Sequence, residues 1–178
     1  MPMYLRPSQA ERNPPPAALP PPLARGTVRE RQDFSIKNMT LEDFKSIENS
    51  LLTDFDDFWQ PETLKDELMN KSSKYIAAKE GQNNILGFAG IWNGVYDFHI
   101  TDIAVRKDLR NQGIGSMLLE KLIELAKQNK METITLEVLC TNTPAIKLYE
   151  KFGFKNAGIR KNYYKGTQDA FIMTLNLM

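Results

Sequence analysis

This sequence of 178 residues predicts a mixed α/β domain, with its elements in the order βααβββαβαββ. Three observations point to it. Strand-like and helix-like runs follow one another over residues 34–178, but not in the strict βαβ alternation of a doubly wound sheet. Asn93-Gly94 joins two apolar runs and is a type I′ hairpin signal, which puts an antiparallel meander in the first half. The stretch Arg110-Asn111-Gln112-Gly113-Ile114-Gly115-Ser116 separates a strand-like run ending Ile103-Ala104-Val105 from an amphipathic run over residues 117–126.

The elements follow in turn. Residues 34–37 read as a short first strand. Thr40 begins a helix, with Asp43 three residues on as a capping-box variant and apolar positions at Leu41, Phe44, Ile47 and Leu51. A loop over residues 53–59 leads to Pro61, which suits the first turn of a second short helix running to Leu68. Residues 75–78 and 85–92 are strands joined by a turn at Gln82-Asn83-Asn84, and the strand after Asn93-Gly94 runs over about residues 95–105. The glycine stretch opens a helix to Gln128, and residues 133–140 form a strand. Thr143 reads as the N-cap of a helix that Pro144 opens and Gly153 stops. Strands over residues 154–160 and 170–177 flank a loop holding Tyr163-Tyr164-Lys165-Gly166.

Composition narrows the function. Hydrophobic residues make up 42% of the chain, enough for one domain with a real core. No run approaches the ~18 consecutive apolar residues of a membrane span. Cys140 is the only cysteine, so an intrachain disulfide and a cysteine zinc site are excluded, which suits a cytoplasmic location. His99 is the only histidine, and no metal site is expected. Net charge is +1, unevenly spread: residues 1–33 carry five arginines, no lysine and eight of the ten prolines. That segment reads as an extraneous or flexible leader, with a polyproline ligand for an aromatic groove as the alternative. Residues 34–178 form the single domain.

A strand, a glycine loop and a helix aim free backbone N–H groups at an anion, and the helix dipole adds positive charge there. A dinucleotide-binding G-x-G-x-x-G would need glycine at Leu118, and a P-loop would need Gly-Lys-Ser/Thr, so neither fits. The R/Q-x-x-G-x-G/A pattern instead resembles the coenzyme A loop of the Gcn5-related N-acetyltransferases (GNAT). A second stretch, Asn142-Thr143-Pro144-Ala145-Ile146-Lys147-Leu148-Tyr149-Glu150-Lys151-Phe152-Gly153-Phe154, is similar to that family's N-x-x-A-x-x-L-Y-x-x-x-G-F segment. Arg160-Lys161-Asn162-Tyr163-Tyr164 with the downstream Asp169-Ala170-Phe171-Ile172-Met173 is similar to the RimI type, the ribosomal-protein-alanine N-acetyltransferases. The resemblance covers about residues 34–178. Phe58-Trp59-Gln60-Pro61 departs from the usual P-W-S form, and Asp102 stands where the group commonly has Asn.

The resemblance implies the GNAT acyl-CoA N-acyltransferase fold, acetyl-CoA as cofactor, and acetylation of the α-amine of a protein N-terminus, alanine-initiated and ribosomal. It implies Glu137 as general base and Tyr149 as general acid. Backbone groups of Ile103, Ala104 and Val105 would line the pantetheine arm, residues 110–116 would take the pyrophosphate, and Asn142 would bond the cofactor arm or cap its helix. Phe58, Trp59, Tyr163 and Tyr164 would border the peptide. No nucleic acid, no membrane and a monomer or weak dimer are expected.

The residues themselves leave these roles open. In the strand over 133–140, Ile134, Leu136, Val138 and Cys140 share one face, and Glu137 lies on the other with Thr133 and Thr135, where a glutamate is ordinarily just solvated. Tyr149 falls on an apolar helical stripe with Ala145, Leu148 and Phe152. An α-amine near ~7.7–8.0 is about a tenth to a fifth neutral at pH 7, whereas a lysine amine near ~10.4 is almost wholly charged, so a carboxylate base suits the first. His99 is a candidate second base beside Asp102, and Cys140 a candidate acyl carrier, each with ordinary packing as the alternative. Asp54, Asp56 and Asp57 interleave with Phe55, Phe58 and Trp59, either to steer a basic peptide or as a solvated loop with its aromatics in the core. Rival activities are acetylation of lysine side chains or small amines, and a coenzyme-A-binding regulator without catalysis.

Overall fold

The computed structural model describes residues 34–55, 60–81 and 84–178. The proline-rich segment 1–33 lies outside them. The chain forms β1 (Phe34–Asn38), α1 (Leu41–Ile47), a π-helical turn (Leu51–Phe55), α2 (Pro61–Met69), β2 (Ser73–Glu80), β3 (Asn84–Asn93) and β4 (Asp97–Val105). A 3-10 turn (Lys107–Leu109), α3 (Ile114–Gln128), β5 (Thr133–Leu139), α4 (Thr143–Lys151), β6 (Lys155–Tyr164) and β7 (Gln168–Asn176) follow. The order βααβββαβαββ is the expected one.

One seven-stranded sheet runs β1-β2-β3-β4-β5-β7-β6. Its neighbours are antiparallel except β4 and β5, which are parallel. The apolar face of α3 packs on one side of the sheet with Ala145 and Tyr149 of α4, closing over Ile100, Ile134, Leu136 and Val138. On the other side α1 and α2 bring Phe44, Ile47 and Leu64 against Tyr75, Phe88 and Ala104. The expected capping box of α1 is complete: Asp43 N–H donates to Thr40 Oγ1 (3.2 Å) and Thr40 N–H to Asp43 Oδ2 (2.8 Å).

Three local expectations need correction. The β3–β4 hairpin is present, but Asn93 pairs with Phe98 and Gly94 closes on Asp97, so Val95 and Tyr96 are its central residues and neither Asn93 nor Gly94 has positive φ. The turn with two left-handed central residues is Lys165-Gly166, between β6 and β7, closed by Thr167 N–H on Tyr164 C=O (3.0 Å). That turn prolongs β6, so Tyr163 and Tyr164 end a strand instead of sitting in a loop. Finally, α4 is capped by Asn142, whose Oδ1 accepts Ala145 N–H (3.2 Å), and Thr143 is its first helical residue.

Two irregularities in β4 shape the centre of the sheet. Gly90 pairs with Asp102 while Ile91 pairs with Ile100, which leaves Thr101 as an extra residue that bends β4. The parallel pairing joins Asp97, Phe98 and His99 to Thr133, Ile134 and Thr135, and extends no further among the described residues. Beyond His99 the strands part: β4 continues along β3, and β5 along β7. The result is a fork whose base is the His99–Thr135 pair.

Candidate active site

The α3 arm of the fork is built from backbone. Arg106 N–H donates to Leu86 C=O on β3 (2.9 Å). Alternation therefore turns Ala104's polar groups to β3 as well, and those of Ile103 and Val105 toward the fork. At the head of α3, Gly113 is the N-cap at φ 86, and no side chain caps the helix. The first intrahelical bond is Met117 N–H to Gly113 C=O, so the N–H groups of Ile114, Gly115 and Ser116 lack intrahelical partners. A Cβ added at Gly113 would meet nothing within 4 Å, so the space before these donors is open to a ligand. That geometry fits the phosphates of an acyl-CoA. Ile114 could offer only its backbone there, because its side chain is core. Asn111 takes a left-handed φ of 62, and Gln112 turns its amide toward Asp108 C=O. The Arg110 guanidinium turns inward, to Phe55 C=O (2.9 Å) and Val105 C=O (3.4 Å), and so ties this loop to the π-helical turn.

The β5 arm is built from side chains. Glu137 is buried, with its carboxylate on the face it shares with Thr135. Its Oε2 lies 3.0 Å from His99 Nε2 and its Oε1 3.1 Å from Arg160 Nη1. His99 Nδ1 lies 2.9 Å from Thr135 Oγ1, so both ring nitrogens are engaged. An ionised Glu137 requires a proton on Nε2, and the Thr135 hydroxyl can serve Nδ1 as donor or acceptor. Tyr164, also buried, donates its hydroxyl to the Glu137 C=O (3.2 Å). Tyr163 packs edge-on against Tyr164 at 4.9 Å, and the Arg160 guanidinium sits 5.0 Å from the Tyr163 ring centre.

A three-residue bulge holds that cluster in place. Arg160 pairs with Ala170 and Tyr164 with Gln168, so Lys161, Asn162 and Tyr163 oppose Asp169 alone. Asp169 pins them by accepting Asn162 N–H (2.9 Å) and the Lys161 ammonium (2.7 Å). The Lys161 hydrogen bond, followed by the Asn162 N–H, holds the Asp169 carboxyl below its ordinary value, and Asp169 in turn raises Lys161. Asn162 adopts φ 53 within the bulge, a conformation Asn tolerates better than most residues.

Other expected residues fall as follows. Tyr149 is fully buried, its ring tilted against Phe154 at 5.8 Å. Asn142 is buried and spends its Oδ1 on the cap of α4. Asp102 is fully buried on β4 beside the Thr101 bulge. Cys140 lies just beyond β5; burial first, then the Asp169 charge, push its thiol up, which disfavours the thiolate an acyl carrier needs. Phe55 is in the core against Phe88, and Asp54 is exposed. Phe58 and Trp59, with Asp56 and Asp57, lie outside the described residues. Among the described residues no group of three or more His, Cys, Asp or Glu is placed to hold a metal ion, and no helix is long and apolar enough to cross a membrane.

Sequence reasoning placed Thr135 on the face of Glu137 but missed its bond to His99, the contact of Arg160 with Glu137 and the pinning role of Asp169. Arg160 and Asp169 were visible as parts of a motif. Their roles depend on a strand register that no local signal carries.

Residues 44–154 match the family model of the acetyltransferase (GNAT) family. Over 110 residues the chain is 39% identical to the ribosomal protein bS18-alanine N-acetyltransferase of Escherichia coli (strain K12), covering 60% of this chain and 74% of the relative. The crystal structure of the ribosomal-protein-S18-alanine N-acetyltransferase from Escherichia coli superposes with a TM-score of 0.73 at 29% identity, covering 81% of this chain and 94% of that one. A GNAT family acetyltransferase from Elizabethkingia anophelis with acetyl-CoA bound superposes with a TM-score of 0.65 at 25% identity, covering 82% of this chain and 99% of the other.

Proposed function

The chain belongs to the acetyltransferase (GNAT) family and is an N-acetyltransferase, and from that premise we propose that it acetylates the α-amine of a protein N-terminus, with an alanine-initiated ribosomal protein as substrate. The observation that carries the reading is Glu137: a buried carboxylate on the opened half of β5, held by side chains from two other strands. The likeness to bS18-alanine N-acetyltransferases supports the substrate.

In this reading the backbone N–H groups of Ile114, Gly115 and Ser116 hold the pyrophosphate of acetyl-CoA, and the fork-facing groups of Ile103 and Val105 hold its arm. Bound there, acetyl-CoA supplies the activated acetyl thioester. Glu137 takes the proton of the incoming amine, directly or through one water. An α-amine near ~7.7–8.0 is already about a tenth to a fifth neutral at pH 7, so the base has little to overcome. His99 and Arg160 keep the carboxylate in one orientation. Tyr149 supplies a proton to the departing thiolate from its hydroxyl. Tyr163, Tyr164, Phe58 and Trp59 flank the peptide.

Fragment-ion mass spectrometry of an alanine-initiated peptide incubated with enzyme and acetyl-CoA checks this reading. An acetyl group on the first residue is expected. Acetylation confined to an internal lysine would refute it.

A further inference from the structure

Within the α-amine reading above, on which this rests, we propose that Arg160 distinguishes an N-terminal amine from other amines by donating to the first carbonyl of the substrate peptide. Arg160 sits on the outermost strand, β6, and reaches Glu137 by crossing β7 at Ala170, its own register partner. Ala170 is also the partner of Leu139 and is fully buried, so the smallest chiral side chain leaves a passage for the arginine stem. The contact is unequal in exposure: the Glu137 side chain is 4% exposed and that of Arg160 43%. The guanidinium therefore stands at the solvent mouth of the site, with the base behind it.

Its chemistry suits a carbonyl. A guanidinium carries five N–H donors in one plane, and the contact with Glu137 engages Nη1. The Tyr163 ring centre lies 5.0 Å from it, and Tyr163 belongs to the bulge that Asp169 pins at Asn162. An α-amine has a carbonyl two bonds from its nitrogen. When that nitrogen is brought to Glu137, its carbonyl comes within reach of a donor group lying 3.1 Å from the same carboxylate. A lysine ε-amine has only methylenes at that distance and offers no acceptor. One planar cation thus ties the base to the group that marks a chain terminus.

The test pairs an alanine-initiated peptide with the same peptide whose first amide is replaced by a trans-alkene, which keeps the amine and removes the carbonyl. With kcat/KM expressed per neutral amine, each peptide's amine pKa being titrated because loss of the carbonyl raises it, wild-type enzyme is expected to favour the amide peptide by roughly 10- to 100-fold, the range of a hydrogen bond to a charged donor. Arg160→Met should erase that preference: kcat lost through the loosened Glu137 carboxylate is shared by both peptides, the amide peptide alone also loses KM, and the KM of acetyl-CoA is unchanged. Arg160→Lys, which keeps the charge but not the planar fork, should restore only part of it. A thermal melt of each variant separates these losses from unfolding. Equal losses on both peptides in Arg160→Met, or no wild-type preference, would overturn the proposal while leaving α-amine acetylation intact. Wild-type enzyme acting on neither peptide but on lysine would overturn the α-amine reading and this one with it.

Discussion

The two arms of the β4–β5 fork are made of different material. On the α3 side the candidate groups are backbone N–H and C=O, and the side chains of Ile114 and Arg110 face away into structural contacts. On the β5 side nearly every candidate group is a side chain, gathered from β4, β5 and β6 around one carboxylate. In the proposed reading a pyrophosphate and a pantetheine arm are the same in every turnover, and a helix start with fixed dipoles would bind them without depending on side-chain identity. The amine side must choose a substrate and move a proton, which requires titratable and adjustable groups. The difference teaches which substitutions should matter where: charge and conformation on the first arm, side-chain chemistry on the second.

The largest effect should come from the side-chain arm. Glu137→Gln preserves shape and removes the base, so kcat should fall about 10²- to 10⁴-fold with acetyl-CoA affinity unchanged. Tyr149→Phe keeps the ring packed on Phe154 and removes only the hydroxyl, so kcat should fall about 10²-fold with little loss of stability. Steady-state rates and calorimetric cofactor titration read both. Near wild-type turnover in either variant would break its assignment.

A smaller effect belongs to the backbone arm. A Cβ at Gly115 would make only ordinary contacts, 3.7 Å to Val105 and 3.8 Å to Leu148, so Gly115→Asp should fold normally. A carboxylate in the first turn of α3 even suits the helix dipole. It would face the phosphates, however, and acetyl-CoA affinity should drop about tenfold or more. Unchanged affinity at unchanged Tm would remove the cradle from this account.

The smallest effect lies away from the fork, in α1. Burial raises the Asp43 carboxyl, but the Lys79 hydrogen bond and the Thr40 contacts outweigh it and hold it below its ordinary value of 3.8. A group depressed in the folded state adds stability above its unfolded value and loses it as pH falls through the folded one. Asp43→Asn should therefore be less stable than wild type at pH 7 by about 1 kcal/mol, with the gap closing below 3.8. Melting curves across pH would show it, and kcat should not move. A gap that widens toward acid would contradict the assignment.

What could be read from sequence follows the same division. The eleven elements and the glycine loop were legible because they rest on local periodicity, capping and turn chemistry. Glu137's face was legible from the period of its strand, though not its burial. Its partners were not: His99 and Arg160 come from β4 and β6, and their meeting on Glu137 depends on the pairing of β5 with β4 and β7, and of β7 with β6 across Ala170. The Asn93-Gly94 signal misled because local propensity for a primed turn was overridden by the β3–β4 register, while Lys165-Gly166, a weaker signal, made the primed turn.

Glu137 as the base for acetyl transfer to a chain terminus is the assignment on which the rest depends. Free-thiol release from acetyl-CoA, measured with a basic alanine-initiated peptide and with the same lysine-containing peptide pre-acetylated at its α-amine, tests it most directly. Rapid release with the first peptide, none above background with the second, and loss of the first rate in Glu137→Gln is the predicted result. Equal rates with both peptides, or a Glu137→Gln enzyme as fast as wild type, would contradict it.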